Sequence, residues 1–241
     1  MRNEGFIEIK LKEIQTITNM NHMFCRGIEE EDRMLLISIP DIFKWDTSNV
    51  TDMSYLFCGC EYLESLSDIS SLNTSMVKDF SNMISYCGNL ETLSDISNWD
   101  TNNVTNMSHM FANDWKLKAF PDISKWNASK VDYMEHMFTG CLTITEIPDI
   151  SKWDVENVIN MSYMFSYCEN LKYIPDISVW KIKSFNNLRG MFSECMRIDY
   201  LPDILKWKII KIRQLFYNFT NSFTYAFVIT LQYRRYLKNL A

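Results

Sequence analysis

Apolar and polar positions in this chain recur with a single period. A step of 27 along the chain, repeated from Trp45, meets Leu72, Trp99, Trp126, Trp153, Trp180 and Trp207. Four residues before each anchor stands Asp41, Asp68, Asp95, Asp122, Asp149, Asp176 or Asp203, and an isoleucine follows every one, from Ile42 to Ile204. Five residues after the anchor come Val50, Val77, Val104, Val131, Val158, Phe185 and Ile212. Methionine columns (Met53, Met107, Met134, Met161; then Met110, Met137, Met164, Met191) and a phenylalanine column follow, and Cys60, Cys87, Cys141, Cys168 and Cys195 close this half. Such spacing means one supersecondary unit copied about seven times.

Counted from Val158, the apolar offsets 0, 3, 6, 7 and 10 form one stripe of a short amphipathic helix. Leu171, Ile174 and Ile177 then return to Trp180 through Pro175-Asp176, a stretch that suits a strand. No single unit can bury its stripe, so stacking in register turns each column into a ladder and the strands into a parallel sheet at about 4.8 Å spacing. The predicted fold class is α/β: a leucine-rich-repeat-like solenoid of about seven 27-residue coils, one parallel strand and one short helix in each. Residues 1–40 hold an incomplete copy with about six extra residues and read as a degenerate N-terminal capping repeat. The array runs over 41–222, and 223–241 read as a C-terminal cap or tail.

Composition agrees with a packed core. Of the 241 residues 47% are hydrophobic, and the 15 methionines and 14% aromatic content are accounted for as ladder filling. The ten residues from Met1 to Lys10 carry no apolar run of a secretory signal, and the uncharged stretch Leu215–Leu231 is too short and too polar for a spanning helix. Charge is uneven. Residues 181–241 hold 11 Lys/Arg against 3 Asp/Glu, leaving 13 against 27 for residues 1–180. The basic end reads as a solvated cap, with contact to an anionic membrane surface as the functional alternative; nucleic acid is not expected.

The aspartate ladder is the sharpest polar feature. Carboxylates stacked about 5 Å apart repel by roughly 3 kcal/mol per pair at an effective dielectric near 20, so something must offset them. One reading is an oxygen-lined cation site built from Asp122, Ser124 and Asn127; the favoured one is an Asx turn, each carboxylate taking N–H groups of the following Ser and Trp. His22, His109 and His136 share one repeat position and read as a surface column, though two imidazoles could share a metal. The cysteine column reads as buried thiols rather than a disulfide framework. Sequons at Asn49, Asn73, Asn103, Asn106, Asn127, Asn160 and Asn218 follow largely from the repeat. Phosphate-binding, zinc-protease and nucleophile-elbow motifs are absent, and identical columns cannot give residues distinct catalytic roles. The expectation is a non-enzyme with no cofactor.

The run Trp153-Asp154 to Met161-Ser162-Tyr163-Met164-Phe165-Ser166-Tyr167-Cys168, followed by Leu171 to Ile174-Pro175-Asp176-Ile177-Ser178, resembles the BspA-type leucine-rich repeat of surface proteins, found also in mycoplasma lipoproteins and in protist and fungal proteins. The resemblance covers about residues 12–222. It implies a right-handed solenoid with one strand per coil, a non-enzymatic role in adhesion or protein binding, and a place at the cell surface. Thr51, Lys78, Thr105, Asp132 and Ile159 vary between the ladders and are the candidate positions of a face recognising a protein or glycan. An intracellular scaffold or regulatory adaptor is the alternative.

Overall fold

The computed structural model describes residues 17–25, 36–39, 42–66, 69–183 and 187–207. Parallel bridges link Asp52, Asp79, Asn106, Tyr133, Asn160 and Asn187, each one repeat period from the last, so among the described residues each of these coils lies in register on its neighbour. Asn19 pairs with Asp52 at a separation of 33, six more than the period. A second column of parallel pairing runs along the other side of the coil. There β1 (Ser65–Leu66) pairs with β2 (Thr92–Leu93), and Glu146, Tyr173 and Tyr200 are bridged in turn. Short 3-10 turns at Ile42–Lys44, Ile69–Ser71, Ile177–Val179 and Ile204–Trp207 follow the aspartate position.

The expected helix after Val158 is not there. Its residues form consecutive hydrogen-bonded turns instead, and the backbone donors show why. The N–H groups of Met161, Tyr163, Phe165 and Tyr167 donate to carbonyls of Asn187, Arg189, Met191 and Ser193 in the next coil, at 2.8–2.9 Å. The intervening N–H groups of Met164, Ser166 and Cys168 close turns on the carbonyls of Met161, Tyr163 and Phe165. A helix would spend every donor inside its own coil; alternation satisfies the same groups and also ties neighbouring coils together. The apolar spacing fits both solutions, since the buried positions are the same.

Alternation needs two left-handed residues in each coil. One column is His22, Tyr55, Asn82, His109, His136 and Tyr163, with φ of 55–57°, and Gly190 at 64°. The second is Gly59, Tyr86, Asn113, Gly140, Tyr167 and Glu194, with φ of 57–74°. The first offsets its backbone cost by stacking: ring centroids lie 4.4 Å apart for His22–Tyr55, 4.6 Å for His109–His136 and 5.0 Å for His136–Tyr163. At Gly190 a Cβ would enter the Tyr163 ring, so glycine is what lets that ring lie over the next coil.

The interior is a set of files. Phe111, Phe138, Phe165 and Phe192 stack with centroids 5.6–5.9 Å apart, and Trp99, Trp126 and Trp153 at 6.2–6.5 Å. The file breaks at Leu72, and there Phe80, which replaces the column's methionine, stacks on Trp99 at 5.4 Å.

Candidate functional site

Two or three Asx turns in a coil explain the recurring acids and amides; the coils that begin at Asp95 and Asp149 have three. The carboxylates of Asp95, Asp122, Asp149 and Asp176 accept the backbone N–H of Ser97, Ser124, Ser151 and Ser178 at 2.9–3.1 Å. The tryptophan N–H does not join them, contrary to expectation: it closes the 3-10 turn on the isoleucine carbonyl, as Trp126 does on Ile123. Bonds from the serines hold Asp95, Asp122 and Asp149 below the usual carboxylate range, and Lys125 and Lys152 add to this. These bonds and lysines offset the mutual repulsion. Asp203 is half-buried next to the last turn, while Asp41 and Asp68 lie outside the described residues.

The proposed oxygen ligands do not converge. Asn127 turns its Oδ1 to the Ser129 N–H and its Nδ2 to Asn102, away from Asp122. His109 and His136 stack with an interplanar angle of 11°, and the His136 Nδ1 is engaged with the Thr139 hydroxyl at 3.1 Å. Among the described residues, no cluster of three or more His, Cys, Asp or Glu side chains is placed to hold a metal.

All seven cysteines are thiols. In the column, Cys60, Cys87, Cys141, Cys168 and Cys195 give their S–H to the carbonyls of Phe24, Phe57, Phe111, Phe138 and Phe165 at 2.9–3.2 Å. Burial pushes the Cys168 thiol up to about 12 and the Cys87, Cys141 and Cys195 thiols well above the ordinary value. The tryptophans do the same with nitrogen: Trp99, Trp126, Trp153, Trp180 and Trp207 are buried and donate Nε1–H to an isoleucine carbonyl 30 residues earlier. Trp45 is half-buried against Phe24, with centroids 5.8 Å apart.

The candidate recognition positions fall on the first parallel column. The N–H groups of Thr51, Lys78, Thr105, Asp132 and Ile159 donate to the carbonyls of Thr18, Thr51, Lys78, Thr105 and Asp132, each at 2.8 Å. Their backbones form one straight ladder between the buried valine and methionine columns. Lys78, Thr105 and Ile159 are exposed, and Thr51 and Asp132 are half-buried. Beside them run Asp52, Asp79, Asn106, Tyr133 and Asn160, so acids at one end of the face give way to the exposed Tyr133 and Ile159.

A second outward ladder escaped the sequence reading. The N–H groups of Glu91, Lys118, Lys172 and Asp199 donate to Glu64, Glu91, Thr145 and Lys172. Lys118 pairs with Glu91 across coils at 2.5 Å, while Tyr173 and Tyr200, 56% and 46% exposed, are bridged neighbours. The signal was present in those two tyrosines, which recur at the repeat period and are each followed by a buried aliphatic residue, Ile174 or Leu201. Among the described residues, no helix is long and apolar enough to cross a membrane.

The model of a family described as "Mycoplasma protein of unknown function, DUF285" matches residues 18–145 and 114–230. None of the curated proteins matches. Among solved structures, a leucine-rich repeat protein from Bacteroides ovatus is similar at 19% identity, over 60% of this chain and 32% of its own, with a TM-score of 0.37. The chain therefore spans about a third of that protein. The leucine-rich repeat protein of T. pallidum is similar at 19% identity, over 68% and 76% of the two chains, with a TM-score of 0.35.

Proposed function

The chain belongs to the DUF285 family of mycoplasma-type proteins, and from that premise we propose a non-enzymatic recognition module that binds a protein or glycan partner through the first outward ladder. One observation carries the reading. Thr51, Lys78, Thr105, Asp132 and Ile159 share a backbone locked at 2.8 Å in every step, yet differ in charge, size and polarity. Side chains can change there without disturbing the files beneath, which is how repeat proteins vary specificity on one scaffold. The exposed Tyr133 and Ile159 would supply apolar contact, and the acids at Asp52 and Asp79 would steer a basic partner. The resemblance to BspA-type repeats favours a role in adhesion at the cell surface. Seven thiols favour the second reading, an intracellular scaffold or adaptor.

The test is affinity capture with the intact chain, its Lys78→Ala/Asp132→Ala/Ile159→Ala variant and its Tyr173→Ser/Tyr200→Ser variant. Loss of a captured partner in the first variant only, with unchanged urea midpoints, supports the reading. A partner retained by the first and lost by the second would move recognition to the other ladder and overturn it.

A further inference from the structure

Two of the seven thiols stand apart from the buried column. Cys25 and Cys58 are half-buried, while the other five are sealed in, with their S–H groups on main-chain carbonyls. The pair occupies one position in adjacent coils. Cys25 closes a turn on the His22 carbonyl and Cys58 on the Tyr55 carbonyl, both at 3.2 Å, and the two rings in question stack at 4.4 Å. One residue earlier, Phe24 and Phe57 stack at 5.7 Å, and the Phe24 N–H donates to the Leu56 carbonyl at 3.0 Å. The Cys58 sulfur stands next to the Cys25 thiol. In-register neighbours across such a ladder lie about 5 Å apart at Cα, inside the window of about 4.4–6.8 Å that a disulfide spans.

We propose that Cys25 and Cys58 are a redox-responsive pair that closes to a disulfide when the protein meets a small-molecule disulfide such as oxidised glutathione. One protein sulfur, as thiolate, attacks a glutathione sulfur, and one glutathione thiolate leaves. The second protein thiol gives its proton to solvent, and its sulfur attacks the mixed disulfide and expels the other glutathione. The protein loses two electrons and two protons, and one glutathione disulfide becomes two thiols. Burial and the neighbouring Cys58 sulfur push the Cys25 thiol up to about 12, so little of it is thiolate at neutral pH and closure speeds up as pH rises. The other in-register neighbours, such as Cys141 and Cys168, are fully buried, out of reach of the oxidant. Closure ties the segment bearing Phe24 to the coil bearing Phe57, around a long loop whose entropy the bond removes from the unfolded chain.

The experiment uses the full chain at pH 8, incubated with oxidised glutathione, then alkylated while native, digested and mapped by mass. The expected result is loss of two hydrogens, one Cys25–Cys58 linked peptide and a thermal midpoint raised by roughly 5–10 °C, all reversed by dithiothreitol. Cys25→Ser should leave a mixed disulfide on Cys58 with no cross-link. Glutathione adducts without a link in the native chain, a link through Cys60 or Cys87, or seven unmodified thiols would overturn the proposal.

Discussion

The indole Nε1–H of Trp126 donates to the carbonyl of Ile96 at 3.2 Å, reaching back one whole coil and three residues more. The same step of 30 joins Cys168 to the Phe138 carbonyl at 3.1 Å. Each coil thus satisfies carbonyls in the one before it with side-chain donors as well as backbone. A core residue in this protein is therefore both a volume and a donor, and its loss is felt twice.

Replacing Trp126 by Ala should cost about 3–5 kcal/mol, because it empties a file between Trp99 and Trp153 and takes from the Ile96 carbonyl one of its two donors, leaving only the Trp99 N–H. The same change at Trp207, whose ring stacks on Trp180, should cost clearly less, since the repeat sequence decays at this end of the array, with Ile210 and Ile212 in place of the usual polar residue and valine. Urea titrations of the two variants check this; equal losses would mean that coils do not support one another.

Asp114 interrupts the cysteine column. Its Oδ1 accepts the Cys87 N–H at 2.9 Å, its Oδ2 has no partner, and burial pushes its carboxyl well above the ordinary value. A raised carboxyl pKa means that the folded state holds the proton more tightly. The stability it contributes is present below the unfolded value near 4 and is lost as pH rises through the folded value. Asp114→Asn, which mimics the protonated acid, should gain about 1–3 kcal/mol at pH 8 and little at pH 4. Urea midpoints at the two pH values decide it.

The stacked histidines act in the opposite sense. Burial holds His109 below its usual value, and burial with the His109 charge holds His136 down to about 4. Their stabilising effect is present above about pH 6.5 and is lost as pH falls towards 4, when two cations would face each other across 4.6 Å. Both rings are partly in water, so the loss should be only roughly 1 kcal/mol. His136→Tyr, matching Tyr55 and Tyr163 in the column, should flatten the thermal midpoint between pH 6.5 and 4.

Gly190→Ala should destabilise by about 1–3 kcal/mol, combining the left-handed φ of 64° with a Cβ inside the Tyr163 ring. In the Tyr163→Ala background the same change should cost only about 1 kcal/mol. A double-mutant cycle that shows no coupling would place the ring elsewhere.

Much of this architecture is written in the chain. The period of 27, the six-residue excess between Asn19 and Asp52 and the burial of the Trp, Met, Phe and Cys columns all follow from spacing, because in-register stacking forces equivalent residues into one environment. The Asx turns were legible for the same reason, since an acid two residues before a serine carries its partner with it. What took the place of the expected helix was decided only by the tertiary structure. Burial at offsets 0, 3, 6, 7 and 10 fits a helix and a train of turns alike, and which forms depends on whether alternate N–H groups find carbonyls in the next coil. Recurrent Gly59, Asn113 and Gly140 at one left-handed position were the local trace of that choice. The outward ladder through Tyr173 and Tyr200 likewise exists only once coils are stacked, because exposure belongs to the assembled rod and to no single repeat.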